Sequence, residues 1–390
     1  MKVVLFDHQV TGHRIEYARY IIKKLSKKGD DLVYVNWKPR GREQELRELD
    51  ASLSYVVGEN GNPLGENWLI RNINIARSYR YLSKKSNEDD VDVTHLLFLD
   101  ECEFILFLVL STRMEFGSRV YATIFNPKYD QRSNSLHVRF GRKVNGLSLR
   151  VMIDMKLIDG LFVHSERIKQ KIANNIYIDN DDLINVIPDP IDPPTLHTKC
   201  DARERLELPK NQTILLFFGG MRWEKGPGLL LKAISQLDCE KASVVFAGPS
   251  DAIDEADVKD VSNNRNGVEI IPRFKFIPDD EIDLYFSAAD AVCLPYRGVY
   301  AGTSGILQRA IASENTVIAT DVGEVGPTVK KGDYGIVAKP DSIRALKKAI
   351  RKYLSNKKDY NEMLAGKSSE YIESHHWERM AEEVRSAYRL

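Results

Sequence analysis

The alternation of short apolar runs with longer helical patterns is the feature that most constrains the fold of this 390-residue chain. The runs in its first half include KVVLFD, DLVYVNW, HLLFLD, RVYATIF and GLFVHS, and helical patterns separate them. Strands that are apolar throughout are typical of parallel sheets, because helices cover both faces of such sheets. The pattern therefore predicts a parallel α/β sheet.

A proline-rich segment at residues 188–194, PDPIDPP, interrupts this alternation. Proline can neither continue a helix nor lie in a central strand, so the segment is a good domain linker. The alternation then resumes with TILLFFGG, ASVVFAG, GVEIIPR, AVCLPY, TVIATD and GIVAKP. We therefore predict two doubly wound α/β domains, residues 1–190 and 195–370, that face each other across a cleft.

Composition excludes several classes of protein. The chain has 56 basic and 56 acidic residues, so no whole-molecule field attracts nucleic acid. Its cysteines are scattered, which fits a reducing cytoplasm. The N-terminal apolar run is too short for a signal peptide, and no run approaches the roughly 20 residues that span a bilayer. We therefore expect a cytoplasmic protein.

The first of two candidate phosphate loops follows the run LLFF in the second predicted domain. Gly219 and Gly220 end this strand, and Arg222 and Lys225 precede a predicted helix at residues 227–237. Glycine lets a ligand approach the backbone without a Cβ in the way, and the first N–H groups of a helix have no intrahelical acceptor. Glycine after a buried strand also serves simply to turn the chain.

The second loop follows the run AVCL and leads to Thr303, Ser304 and Gly305 at the start of another predicted helix. Serine is a preferred helix cap, so Ser304 could have only that structural role. Ligands of doubly wound sheets lie beyond the carboxyl ends of the strands, where both loops are expected. We therefore predict that Arg222, Lys225 and the amides of Ser304 and Gly305 bind one diphosphate.

The motifs GGMRWEKG, PYRGVYAGTSGILQRA and TVIATDVG together resemble the donor-binding domain of GT-B glycosyltransferases, especially family 4. The resemblance is good from about residue 186 onward and looser before it. It implies two Rossmann-like domains and a nucleoside diphospho-sugar donor (UDP- or GDP-linked). It also implies a helix at residues 371–390 that crosses back to the N-terminal domain. We expect no metal or other cofactor, because the helix dipole and the two cations already supply a positive field. The donor-binding residues that we predict are Gly12, Gly219, Gly220, Arg222, Lys225, Arg273, Phe274, Thr303, Ser304 and Gly305.

One pair of positions departs from the family 4 pattern. Many members carry two glutamates separated by seven residues, where this chain has Ala301 and Arg309. The first glutamate usually faces the donor sugar and the second the ribose, so neither role carries over. The chain fits better a subset with the PYR…SG form. The identity of the sugar and the choice between retention and inversion stay open.

Candidate catalytic residues lie in the first predicted domain. Gly12 and His13 follow the first strand and resemble the loop that approaches the donor sugar and the acceptor in GT-B enzymes. Asp100 and Glu101 end the strand HLLFLD, where a carboxylate could take a proton from an acceptor hydroxyl. An acidic residue at a strand end is also a routine helix cap, and His13 could equally be a capping or surface residue.

A basic helical pattern at residues 132–156 interleaves arginine and lysine with apolar side chains. Such a surface could rest on anionic lipid and collect a lipid-linked acceptor, or it could be a solvated helix face. We predict a glycan or lipid-linked acceptor and a peripheral contact with the cytoplasmic face of a membrane.

The predicted reaction is transfer of the sugar to an acceptor hydroxyl without a metal ion. Two pairs have the DxD spacing of metal-dependent enzymes, Asp90 with Asp92 and Asp179 with Asp181, but they precede strands, and we expect neither to bind a catalytic metal. Two alternatives stay open: a nucleotide-sugar 2-epimerase of the same architecture, which needs no acceptor, and a noncatalytic donor-binding partner of a true transferase.

Overall fold

The computed structural model describes residues 1–8, 13–37, 51–56, 68–112, 115–129, 135–177, 182–237, 242–262 and 268–389. Contacts within the chain divide it into two compact units. The first unit comprises Met1–Pro190 together with His376–Leu390, and the second comprises Ile191–His375. A parallel sheet forms the centre of each unit.

In the first unit the described strands form a sheet in the order β3-β2-β1-β4-β5-β6-β7, and every pair is parallel. The chain order reverses direction at β1, which is the switch point of a doubly wound sheet. The strands are β1 Lys2–Phe6, β2 Asp31–Trp37, β3 Ser52–Val56, β4 Val93–Leu96, β5 Arg119–Thr123, β6 Gly160–Val163 and β7 Ile184–Val186. The helices between them are α1 His13–Ser26, α2 Trp68–Glu88, α3 Glu103–Leu110, α4 Leu136–Asp154 and α5 Glu166–Ile176.

The C-terminal helix Trp377–Ala387 belongs to the core of the first unit. The indole of Trp377 stacks on the ring of Tyr20, with centroids 4.3 Å apart. The hydroxyl of Tyr388 lies 2.5 Å from Nδ1 of His95, a fully buried ring in β4. Burial lowers the pKa of His95 to about 3, so this ring is neutral at physiological pH and serves as a core hydrogen-bonding group.

The second unit has the sheet order β10-β9-β8-β11-β12-β13, again with every pair parallel. Its strands are β8 Thr213–Phe218, β9 Ala242–Ala247, β10 Val268–Arg273, β11 Ala291–Leu294, β12 Thr316–Thr320 and β13 Gly335–Ala338. A 3₁₀ turn lies at Trp223–Lys225. The helices are α6 Lys199–Arg205, α7 Pro227–Ile234, α8 Glu255–Ser262, α9 Asp279–Ala288, α10 Gly305–Ala312, α11 Val325–Gly332, α12 Ile343–Ser355, α13 Lys357–Leu364 and α14 Lys367–Ser374; with these, the C-terminal helix of the first unit is α15.

The two doubly wound α/β sheets predicted from the alternation are confirmed. The alternation did not reveal β3 or α2, however. Strand β3 is at the edge of its sheet, and Ser52 is exposed there, so no continuous apolar run marks it. The buried side of α2 includes Ser78, Ser83 and Ser86, which weaken its apolar periodicity. The helix predicted near residue 44 lies outside the described residues.

No helix within the described part of the chain is long and apolar enough to span a bilayer.

Candidate functional site

The turn after β8 is held against the turn after β9 at the carboxyl edge of the second sheet. The N–H of Gly219 donates to the carbonyl of Ala247 at 2.8 Å, and the N–H of Met221 donates to that of Pro249 at 2.8 Å. Gly219 and Gly248 both have positive φ, and a Cβ on Gly248 would lie 2.4 Å from the carbonyl oxygen of Gly219. The close approach of the two turns therefore requires glycine at position 248.

The amine of Lys225 lies beside Gly219, and so does the side chain of Ile306 from the first turn of α10. A Cβ built on Gly219 would be 3.6 Å from Nζ of Lys225 and 3.5 Å from Cδ1 of Ile306. Ile306 is the second residue of α10, so its backbone belongs to the turn whose N–H groups lack intrahelical acceptors. Gly219 of the first loop thus has the Lys225 amine and a side chain from the start of the second loop's helix as its neighbours.

The environment of Lys225 disfavours a positive charge while no anion is present. Burial and, to a smaller extent, the neighbouring charge of Arg222 lower the pKa of Lys225 to about 8, against the opposing effect of Glu224. Arg222 itself is largely exposed, and its Nε lies 3.0 Å from Oε1 of Glu224. Because the charge of Arg222 lowers the pKa of Lys225, an anion bound between them would favour the charged form of the amine.

Ser304 and Gly305 differ in what surrounds them. Oγ of Ser304 accepts the N–H of Leu307 at 3.3 Å and lies 3.1 Å from the buried hydroxyl of Tyr296, so this side chain caps α10. A Cβ on Gly305 would have no atom within 4 Å, and the same holds for Gly220. The side chain of Ser304 is therefore structural, and binding of a phosphate by its backbone N–H stays a prediction. The backbone of Gly305 and Gly220 borders open space that a ligand can enter.

Arg297 and Gly226 join the two loops, and neither was among the predicted site residues. The N–H of Arg297 donates to the carbonyl of Glu224 at 2.9 Å, and its Nε donates to that of Trp223 at 3.1 Å. The guanidinium lies 4.4 Å from the centre of the Trp223 ring. Gly226 has a φ of +69°, and a Cβ there would lie 2.1 Å from the carbonyl oxygen of Pro295. The loops after β8 and β11 consequently form one packed structure.

Three other predicted residues lie at the same sheet edge. Arg273 ends β10, two strands from β8, and its carbonyl accepts the N–H of Gly248 at 3.1 Å. Phe274 is partly buried against the core. The carbonyl of Thr303 accepts the hydroxyl of Tyr300 at 2.5 Å, which supports the loop before α10. Their part in donor binding stays a prediction.

Solved structures are similar to the whole chain. Sucrose-phosphate synthase from Thermosynechococcus elongatus has a TM-score of 0.75 and 17% identity, covering 100% of this chain and 98% of that one. Alr3699/HepE of Anabaena, in complex with UDP, has a TM-score of 0.73 and 12% identity, covering 100% of both chains. The chain has the GT-B fold.

A family model matches the second unit of this GT-B chain, and a curated relative matches about half of the chain. Residues 199–368 match the family model described as glycosyl transferases group 1. The D-inositol 3-phosphate glycosyltransferase of Corynebacterium aurimucosum is 26% identical over 194 residues, which are 48% of this chain and 45% of that protein. The chain therefore matches less than half the length of this curated relative.

Arg309 stands where many family 4 members have the second of their two glutamates, and its side chain forms an ion pair within the second unit. The guanidinium of Arg309 forms an ion pair with Asp283 in α9. The other carboxylate oxygen of Asp283 accepts the N–H of Thr195 at 2.8 Å. Arg309 thus helps to fix the chain just after the proline-rich segment, a role that the sequence comparison did not indicate.

The two predicted catalytic carboxylates of the first unit have partners. The oxygens of Asp100 accept the N–H of Asn126 at 2.6 Å and that of Phe125 at 3.1 Å. Glu101 lies 2.6 Å from Nζ of Lys128. Burial would raise the pKa of Glu101, but this hydrogen bond and nearby positive charges lower it overall. Both carboxylates therefore stabilise local structure, and their catalytic role stays a prediction.

Glu103, the first residue of α3, is the most perturbed carboxyl group near these two residues. Its side chain is almost completely buried, and Oε1 accepts the hydroxyl of Tyr129 at 2.7 Å. Burial, reinforced by the charges of Asp100 and Glu101, raises the pKa of Glu103 to about 8 although the Tyr129 hydrogen bond opposes this. Burial is a property of the fold, so no sequence pattern indicated this group.

The remaining predictions divide between described and undescribed residues. His13 begins α1, whereas Gly12 lies outside the described part of the chain, as do Asp179 and Asp181. Oδ2 of Asp92 accepts the N–H of Lys2 at 2.8 Å, at the amino end of β1 and so away from the carboxyl edge. Within the described residues, no group of three or more histidine, cysteine, aspartate or glutamate side chains could hold a metal ion.

Proposed function

We propose that the second unit binds a nucleoside diphospho-sugar and that the protein is a glycosyltransferase acting on an acceptor hydroxyl. The observation that carries the proposal is that the Lys225 amine and the side chain of Ile306, in the first turn of α10, both lie beside Gly219. A diphosphate at this point would meet a half-buried cation and helix N–H groups together. The match of residues 199–368 to glycosyl transferases group 1 supports this assignment.

The chemical task is to stabilise the departing nucleoside diphosphate, whose negative charge grows as the bond to the sugar breaks. Lys225 and Arg222 supply positive charge, and the amides of Gly305 and Ile306 supply preorganised donors. Arg297 holds the lysine-bearing turn in place through its hydrogen bonds to Trp223 and Glu224. We propose that these groups stabilise the negative charge of the leaving group without a metal ion.

For the donor we propose a uridine nucleotide as the first candidate, with a guanosine nucleotide as the alternative. The structurally similar Alr3699/HepE has been solved with UDP and with UDP-glucose. For the acceptor we propose a glycan or a lipid-linked saccharide. Asp100, Glu101 and His13 remain our candidates for the acceptor side, because they follow strands or begin helices at the carboxyl edge of the first sheet.

A donor screen with the full chain tests the proposal. We expect one class among UDP-, GDP-, ADP- and CMP-sugars to raise the melting temperature, because a ligand at 100 times its Kd stabilises the folded state by about 2.7 kcal/mol. Release of the nucleoside diphosphate should then require an added acceptor. No thermal shift with any donor would contradict the proposal. A rearranged sugar without acceptor would indicate the epimerase, and binding without turnover alongside an active relative would indicate a partner subunit.

Gly305→Ala should separate ligand binding from stability. Alanine favours a helix over glycine by about 1 kcal/mol, and a Cβ meets no atom here, so we expect an unchanged or higher melting temperature. The methyl group would nevertheless occupy the space through which a phosphate reaches the amide. Losing one hydrogen bond to a charged group should weaken nucleotide binding about tenfold or more, measured by calorimetry.

Gly141→Ala is the matched control for this variant. Gly141 also lies in a helix with no atom within 4 Å of an added Cβ, but it belongs to α4 of the first unit. We expect a similar gain in stability and unchanged nucleotide affinity. If Gly305→Ala bound nucleotide as tightly as Gly141→Ala does, the first turn of α10 would not be the phosphate site.

A further inference from the structure

Helix α4 of the first unit exposes a line of large apolar side chains. Leu136 is 73% exposed, Phe140 72% and Leu147 62%. With about 3.6 residues per turn, these three positions lie within roughly 40° of one another around the helix axis. They therefore form one continuous stripe, which we call the α4 stripe.

The C-terminal half of the same helix packs against the core on the side opposite the stripe, whereas its first two turns are exposed all round. Leu149 and Met152 are completely buried in the core of the first unit. The helix is thus already anchored by one apolar face, and the α4 stripe is a second one. Single exposed apolar side chains are ordinary on protein surfaces, whereas a contiguous apolar stripe indicates an interaction surface.

Positive charges run beside the stripe. Arg139, Lys143 and Arg150 follow at spacings of four and seven residues, so they share a line next to the apolar one. The helix contains a single acidic residue, Asp154, whose Oδ2 lies 3.5 Å from Nε of Arg150. An apolar stripe bordered by cations is the pattern of a helix that lies in the interface of an anionic membrane.

We propose that the α4 stripe inserts into the surface of an anionic phospholipid bilayer, with Arg139 and Lys143 at the lipid phosphates. A second copy of the chain is a poorer occupant, because its stripe has the same bordering cations and offers them no negative partner. An apolar protein groove would leave those cations without partners. Lipid supplies both an acyl layer and a negative surface. The proposal concerns attachment alone and does not depend on the reaction.

The test is co-sedimentation of the full chain with vesicles, in the absence of nucleotide. We expect binding to vesicles of phosphatidylcholine with about 40% phosphatidylglycerol and much weaker binding to phosphatidylcholine alone. Each cation near an anionic surface contributes about fivefold to the partition coefficient. Arg139→Glu/Lys143→Glu should therefore lower that coefficient by more than about tenfold, and Leu136→Ser/Phe140→Ser should do the same by removing the inserted side chains.

Matched controls come from the second unit. Phe276 is 74% exposed, so Phe276→Ser removes a comparable apolar side chain elsewhere. Lys347→Glu/Arg351→Glu makes the same change of charge on α12, a basic helix without exposed large apolar residues. We expect both control variants to bind vesicles like the parent chain. Melting temperatures of all four variants should match the parent, because every substituted side chain is at the surface.

Several results would overturn the proposal. One is a lack of binding to the phosphatidylglycerol vesicles. Another is that Lys347→Glu/Arg351→Glu lowers vesicle binding as much as Arg139→Glu/Lys143→Glu does, which would indicate attraction by the positive charge of the protein in general. A third is a concentration-dependent dimer in sedimentation velocity that Leu136→Ser/Phe140→Ser dissociates. That result would assign the α4 stripe to a second copy of the chain.

Discussion

Replacing Lys225 by alanine is expected to lower the rate of sugar transfer by about a thousandfold, the effect of removing a preorganised group that stabilises charge in a transition state. The amine lies beside Gly219 in the turn after β8, where the side chain of Ile306 from the start of α10 also lies. It is also partly desolvated, so its charge acts on the leaving diphosphate with little screening. The rate of transfer would be measured as release of the nucleoside diphosphate at a saturating concentration of donor.

The matched control for this variant is Lys232→Ala. Lys232 is an exposed lysine of α7, the helix that follows the same loop, and we expect its removal to leave transfer unchanged. The fold should survive in both variants, which circular dichroism and the melting temperature would show. Full activity of purified, folded Lys225→Ala would refute the role assigned to this amine.

The lowered pKa of Lys225 adds a pH dependence with a defined sign. Without ligand the amine loses its proton near pH 8, whereas a bound diphosphate would favour the charged form. Nucleotide affinity should therefore fall as pH rises above about 8, approaching tenfold per pH unit. The phosphate itself, with a second pKa near 6, is fully ionised throughout this range. Calorimetry between pH 7 and 9.5 should show this slope in the parent chain and not in Lys225→Ala.

The same group affects stability in the opposite direction. Its pKa is lower in the folded than in the unfolded chain, so the unfolded chain binds more protons between about pH 8 and 10.5. Without ligand, the contribution of Lys225 to the free energy of unfolding should therefore rise with pH across that range. Chemical denaturation of the parent and of Lys225→Ala measures this contribution as the difference between their pH dependences.

The elements that could be predicted from the sequence are those whose buried side chains are consecutive apolar residues. Strand β8, TILLFF, has only its first residue partly exposed, and its apolar run was therefore visible. Strand β3 and helix α2 were missed for the reverse reason. An edge strand with an exposed serine and a helix that buries serines do not show a simple apolar period. Tertiary packing, which no local pattern records, determines those two elements.

The candidate site shows the same limit. Lys225 and the glycines were recognisable because their residue types and spacing are those that a phosphate requires. Glu103 owes its high pKa to burial among residues distant in sequence, and Arg297 joins two loops about seventy residues apart. Contacts of this kind depend on how the strands are ordered in the sheet. Strands β8 and β11 are neighbours in the sheet, and this pairing places the turns that follow them side by side.

Gly226→Ala should show how much the site depends on that junction. The residue has a φ of +69°, and a Cβ would lie 2.1 Å from the carbonyl oxygen of Pro295, a backbone atom that cannot rotate away. Left-handed strain and overpacking together should lower the free energy of unfolding by about 3 kcal/mol. The loops must also separate, which should weaken the hydrogen bond from Arg297 to Glu224 and displace Lys225. We therefore expect lower nucleotide affinity as well as a lower melting temperature.

Gly366→Ala isolates the contribution of the clash. Gly366 has a φ of +82° in the same unit, but a Cβ there would meet no atom within 4 Å. Its replacement should cost about 1 kcal/mol of backbone strain and leave nucleotide affinity unchanged. Scanning calorimetry of both full-length variants measures the difference. Equal losses of stability in the two variants would mean that the loops tolerate separation, and the site would then not need the contact between Gly226 and Pro295.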